Sequence, residues 1–322
     1  MPPHRPAARA LSGACARGRA VARAIGRARG GSVDPRLGRR RPVLTAAATL
    51  AAVIAPVAAA AGCAGSPGPD ESQQPTPSAP PATAGVALPP AGAPFDYQIG
   101  EPYPPHPETR VVSRDRGAAP AEGLYNVCYV NAFQAQPHEL SWWRSTHPGL
   151  LLRDGEGHEV VDEEWDEVLI DISTDATRAA LAEVVGGWID GCAADGFDAV
   201  EPDNLDSYTR SHGLLDRVDA AAFATLLAER AHDAGLAIAQ KNDTDLAPEG
   251  RTIGFDFAVA EECGRWDECD AYADAYGRLV LVIEYADDHL DAACAGWPEL
   301  SVVRRDVDVS APGDHPYRYA VC

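Results

Sequence analysis

Eight short apolar runs, helical stretches between them, and a body of about 229 residues (94–322) predict an α/β fold: a single-domain (β/α)8 barrel of the TIM type. Strand–helix alternation implies parallel strands joined by right-handed crossovers. Eight such strands in this length favour a closed barrel over an open sheet.

The strands are expected at 95–99, 124–130, 168–172, 199–201, 237–240, 257–260, 279–283 and 301–304. The clearest are continuously apolar, as a strand buried on both faces must be. Residues 177–193 (TRAALAEVVGGWIDGCA) carry apolar side chains at helical spacing. Residues 219–234 (DAAAFATLLAERAHDA) are alanine-rich and stop at Gly235, a helix terminator. A shorter helix is expected at 269–277.

The chain ahead of the barrel has another character. Arg39, Arg40 and Arg41 precede an apolar run at 43–61 (VLTAAATLAAVIAPVAAAA) that ends in small residues. This order reads as an export signal over residues 1–63. Arg40-Arg41-x-Val43-Leu44 loosely fits a twin-arginine pattern. Ala60-Ala61-Gly62-Cys63 resembles a lipobox, which would make Cys63 a lipid anchor at the cell surface; plain secretion is the alternative. Residues 64–93, rich in Pro, Ser, Ala and Gly, read as a flexible linker.

Charge and cysteines narrow the function classes. Residues 1–63 hold 11 Arg and one Asp, which leaves the rest of the chain with a net charge of about −31. So acidic a body repels phosphate backbones, which argues against nucleic acid and suits neutral or cationic polymers. A monomer is expected. Setting aside Cys15 in the signal and Cys63 at the lipobox leaves six cysteines, an even number that outside the cytoplasm pairs as disulfides. Cys263 and Cys269 lie close in one loop. Cys294 with Cys322 would fasten the tail, and Cys128 with Cys192 remains by elimination. No Cys-x-x-Cys or His-rich spacing supports zinc, and no metal or cofactor is expected.

In a barrel of this kind the C-terminal ends of the strands face the site. Here they are polar: Tyr129 and Asn131, then Asp171, then Glu201 through Asp203 and Asn204 to Asp206, then Lys241, Asn242 and Asp243, then Glu261 and Glu262, then Glu284 and Tyr285. Clustered carboxylates raise one another's pKa, which is costly for folding and useful for acid–base catalysis. Glycoside hydrolysis needs two carboxylates, one protonated to donate to the leaving oxygen and one to attack or to activate water. Asp203 and Glu261 are the candidate pair. Tyr129, Asp171, Asn204, Asp206, Lys241, Asn242, Glu284 and Tyr285 are the candidate substrate contacts. Trp142, Trp143 and Trp165 offer faces for sugar rings, with ordinary packing as the alternative.

The motifs bear a further likeness. Glu201-Pro-Asp-Asn-Leu-Asp206 after Gly196-Phe-Asp198 resembles the GFDGVEPDNVD segment of glycoside hydrolase family 114, the endo-α-1,4-polygalactosaminidase-like proteins. Phe95-Asp-Tyr-Gln98 and Val127-Cys-Tyr129 are similar to the family's first two strands. Ala231-His232, Gly235-Leu236 and Lys241-Asn242 resemble its AH..GL…KN pattern, and residues 255–263 its FDFAVNEQC, with Glu268-Cys269 and Glu284-Tyr285 following in order. The resemblance implies a barrel that cleaves α-1,4-linked galactosamine polymers, with the family's catalytic pair falling on Asp203 and Glu261. Ala260 and Glu262 depart from the family's Asn and Gln. The competing readings are a non-catalytic carbohydrate-binding surface lipoprotein on the same scaffold and a calcium-binding structural protein; for the latter no calcium-loop spacing is visible.

Overall fold

The computed structural model describes residues 85–322. The expected export signal, Cys63 and the linker as far as residue 84 lie outside the described residues. The chain forms β1 (Phe95–Gln98), β2 (Val111–Asp115), β3 (Tyr125–Asn131), β4 (Gln134–Ala135), α1 (Leu140–Thr146), β5 (Val161–Asp162), β6 (Glu167–Leu169) and α2 (Asp175–Asp195). There follow β7 (Ala199–Asp203), α3 (Arg217–Asp233), β8 (Ala237–Lys241), α4 (Gly250–Ile253), β9 (Phe257–Glu261), α5 (Cys263–Trp266), α6 (Cys269–Tyr276), β10 (Val280–Glu284), α7 (Asp287–Gly296), β11 (Ser301–Arg305) and β12 (Tyr319–Val321).

The main sheet runs β1-β2-β3-β7-β8-β9-β10-β11-β12, all parallel except β12, which pairs antiparallel with β11. β1 lies against β11, and a fully buried ion pair between Asp96 and Arg305, 3.3 Å apart, bridges the seam. The result is a nearly closed TIM-type barrel of eight parallel strands. Alternate residues divide its core. Ala199, Ala237, Ala239, Phe257, Val259, Leu281 and Ile283 fill the interior with Phe95 and Tyr97. Their neighbours Val200, Ile238, Ala258, Ala260, Val280 and Val282 face the helices. This period of two decides which strand-end residues point into the mouth.

The helices begin and end on local signals. Thr174 caps α2 through a capping box with Thr177, and Gly196, in a left-handed conformation, ends it. Asp216 and Asp219 form the same box at α3. Leu181, Val185 and Ile189 of α2 are fully buried, each worth roughly 1.5–3 kcal/mol against exposure.

The structure alters the expected scheme in two places. The run 168–172 is not a barrel strand: β6 joins β4 and β5 in a separate three-stranded antiparallel sheet. It is apolar because Val168, Ile170 and Ile172 are buried in the layer outside the barrel, which mimics a doubly buried strand. The barrel strand in its stead is β2, which no sequence reading found. No helix separates β1 from β2 or β2 from β3, so the alternation that marks a barrel is missing there. The expected linker also ends early. Val86, Leu88 and Ala93 pack against the barrel interior, and the Tyr125 hydroxyl donates to the Ala87 carbonyl at 2.8 Å. All three expected disulfides form: Cys128–Cys192, Cys263–Cys269 and Cys294–Cys322.

Candidate active site

The interior positions of β7, β8 and β9 end in Asp203, Lys241 and Glu261. In register with Ala199, Ala237 and Phe257, these side chains share the barrel's axis rather than its outer wall. Lys241 is 2% exposed and stands among three carboxylates. Its Nζ lies 3.0 Å from Asp203, 3.1 Å from Glu201 and 3.3 Å from Glu261. It also donates to the Tyr97 hydroxyl at 3.0 Å. The Asp203 and Glu261 oxygens that share this ammonium are therefore at most about 6.3 Å apart.

Each carboxylate has its own hydrogen bonds. The Tyr129 hydroxyl donates to Asp203 Oδ2 at 2.7 Å. Asn242 Nδ2 donates to Glu261 Oε2 at 3.1 Å, while the Glu261 backbone N–H donates back to Asn242 Oδ1 at 2.8 Å. The Tyr285 hydroxyl donates to Glu261 Oε1. One layer deeper, Tyr97 and Ser113 donate to the two oxygens of Glu201 at 2.8 and 2.7 Å.

The electrostatics separate these groups. Burial opposes ionisation of Asp203, but the Lys241 ammonium and the Tyr129 hydroxyl outweigh it and hold the carboxyl below the usual aspartate range. Burial pushes the Glu201 carboxyl up, against the pull of Lys241. Burial also works against the charge on Lys241, yet Asp203 and Glu261 raise its pKa well above that of a free lysine. Tyr129 and Tyr285 are pushed up by burial first and by their carboxylate partners second, so both remain donors.

Other candidates sit at the rim or away from it. Asn204, in a left-handed conformation, donates to Asn131 Oδ1 at 3.1 Å and toward Glu167 at 3.4 Å. Asp206 pairs with Arg210, which also binds Asp162 and so ties the β5–β6 turn to the loop after β7. Two expected contacts are not brought to the cluster. Asp171 belongs to the segment leading into α2, where its carboxylate accepts from the backbone and hydroxyl of Ser173. Glu284 has the outward parity of Val280 and Val282, and accepts from the Gly264 backbone N–H at 2.7 Å. A Cβ on Gly264 would come within 2.8 Å of that carboxylate, so glycine is required there. Trp143 is buried; Trp142 packs on Trp143 and Trp188 at the α1–α2 contact.

Sequence reasoning missed Tyr97 and Ser113 because both lie within strands rather than at their ends. It also missed Glu167. This residue arrives on β6, accepts from Asn131 Nδ2 at 2.8 Å, and is pushed up to about 7 by burial, with the Asn131 bond opposing and the Asp203 charge adding.

The model of glycoside-hydrolase family GH114 matches residues 75–321. The chain belongs to that family. Its fold is shared with Ega3 of Aspergillus fumigatus, solved in complex with galactosamine, at 22% identity and a TM-score of 0.59, over 74% of this chain and 98% of that one. The glycoside hydrolase domain of PelA from Pseudomonas aeruginosa is matched at 16% identity and a TM-score of 0.49, over 69% of this chain and 96% of that one. No curated protein matches. As a GH114 member, the chain is a glycoside hydrolase whose polar barrel mouth contains Asp203, Lys241 and Glu261.

Proposed function

We propose that this GH114 protein is an exported endo-acting hydrolase of α-1,4-linked galactosamine polymer, with Asp203 as nucleophile and Glu261 as acid and then base. The observation that carries the reading is that one buried ammonium, Lys241, binds both carboxylates. The shared ammonium draws the pair together, with one oxygen of each within about 6.3 Å of the other, and we read them as the close carboxyl pair of a retaining enzyme. Asp203, held ionised and pinned by Tyr129 and Lys241, would attack the anomeric carbon. Glu261, the more exposed of the two, would protonate the glycosidic oxygen. Water activated by the Glu261 carboxylate would then release the glycosyl group from Asp203, with net retention.

The acidic body favours a cationic polymer, and the galactosamine bound to the fold relative Ega3 accords with that choice. Three disulfides support an oxidising, extracytoplasmic setting, with Cys63 as the proposed lipid site. The test is incubation with de-N-acetylated galactosamine polymer. New reducing ends, first detected as the α anomer by proton NMR, are expected from the native protein. Asp203→Asn and Glu261→Gln should each lose at least about 100-fold in rate. A native protein that binds polymer without cutting it would leave carbohydrate binding as the function, and β ends would exclude retention.

A further inference from the structure

Asn204 follows Asp203 directly and holds a left-handed backbone (φ 65°), a conformation that residues other than glycine seldom adopt. Its neighbours keep it there, for both ends of its amide are engaged. Nδ2 donates to Asn131 Oδ1 at 3.1 Å and toward Glu167 Oε2 at 3.4 Å, while Oδ1 accepts from Arg210 at 3.3 Å. Held in this clamp, the Asn204 backbone N–H favours the ionised form of the Asp203 carboxyl.

Glu167 joins the clamp from outside the barrel. Its Oε2 also accepts from Asn131 Nδ2 at 2.8 Å, and Asn131 pairs in register with Asp203 across β3 and β7. One oxygen thus gathers the two amides that flank Asp203. The strand that brings it is itself secured. Asp162, opposite Glu167 in the β5–β6 register, accepts from Gln134 at 3.0 Å and pairs with Arg210 at 2.5 Å. Arg210 therefore closes a ring that runs from Glu167 through Asn204 and back to the outer sheet. Among the described residues Glu167 accepts side-chain hydrogen bonds from these two asparagines alone. Burial keeps it protonated up to about 7, so below that pH it places no second charge beside Asp203.

We propose that Glu167 is a positioning residue for the reaction: from the outer sheet it holds Asn131 and Asn204, and through Asn204 it orients the Asp203 carboxylate for attack. Asn204 is the link in this support, and the β4–β6–β5 sheet becomes part of the catalytic machinery. The assignment rests on the reading of Asp203 as nucleophile.

Two measurements test it. The first needs no substrate. Carbon-13 NMR of labelled carboxyl groups follows the titration of Asp203, its signal assigned by its loss in Asp203→Asn. Glu167→Ala should raise the Asp203 pKa, and Glu167→Gln, which keeps the acceptor, should bring it back toward the native value. The second uses the α-fluoride of a galactosamine trisaccharide. Its leaving group needs no acid, so the first turnover of fluoride release reports attack by Asp203 apart from Glu261. Glu167→Ala should slow that release about 10-fold or more at saturating substrate, with most of the loss restored in Glu167→Gln. Asn204→Gly keeps the left-handed turn without the amide and should cost about as much, and the double variant no more than either single one. An unmoved Asp203 pKa in Glu167→Ala, or losses that multiply in the double variant, would overturn the proposal. Fluoride release by Asp203→Asn at the native rate would strike the reading of Asp203 as nucleophile instead.

Discussion

Lys241 must balance three carboxylates at once, and this makes it the most consequential single residue of the barrel mouth. Breaking a buried ion pair by removing one partner costs about 3–5 kcal/mol, because the other charge stays buried and unpaired. Lys241→Met should therefore lower the free energy of unfolding by that order, measured with urea. It should also raise the pKa of Asp203, whose carboxyl is active when ionised, so the acid limb of kcat/KM should move to higher pH. A variant with native stability and an unmoved acid limb would show that the ammonium holds nothing in place. Much at this scale was legible. Asp203, Lys241 and Glu261 stand two residues beyond Glu201, Ala239 and Val259, and the period of two aims all three inward. The same count turns Glu284 outward, although reading it as a strand end hid this. Ser113 left no signal, and Tyr97 showed only as part of the Phe95–Gln98 motif, because a hydroxyl within a strand reads as ordinary strand composition.

Among the elements, the β4–β6–β5 sheet was the least legible and delivers an acid to the rim. The folded pKa of Glu167, about 7, exceeds its ordinary value of 4.5. The stability it confers is full below about 4.5 and is lost as pH rises through about 7, since the folded state then holds a buried charge. Glu167→Gln keeps an acceptor for Asn131 and cannot ionise. It should match the parent at pH 4 and exceed its stability at pH 8 by up to about 3 kcal/mol, read from urea unfolding at the two values. Equal stability at pH 8 would mean that Glu167 is solvated in the folded state. The sequence placed a barrel strand over 168–172 because an apolar run buried under helices and one buried inside a barrel look the same when periodicity is the only guide. It passed over β2 because the neighbouring helices that announce a barrel strand are absent there. A buried polar network of Asp96, Gln98, Tyr103, Arg114 and Arg305 covers that side instead.

Across the whole molecule the fold was legible from alternation and length, which found seven of the eight barrel strands, and the disulfides from parity and proximity. Cys294–Cys322 ties the end of the chain to α7 and so keeps β12 paired with β11. Replacing both cysteines with serine should cost about 3 kcal/mol of unfolding free energy, measured under oxidising conditions. A smaller loss would indicate that β12 pairing alone secures the tail. One further property concerns the entire surface. Lys241 is the only lysine in the sequence and lies at the bottom of the mouth, so the protein offers no side-chain amine to bulk reagents. Acylating labels and amine-coupling resins would find no lysine to modify while the barrel stays shut. Uptake of such a label at that position would report breathing of the cylinder itself, one molecule at a time.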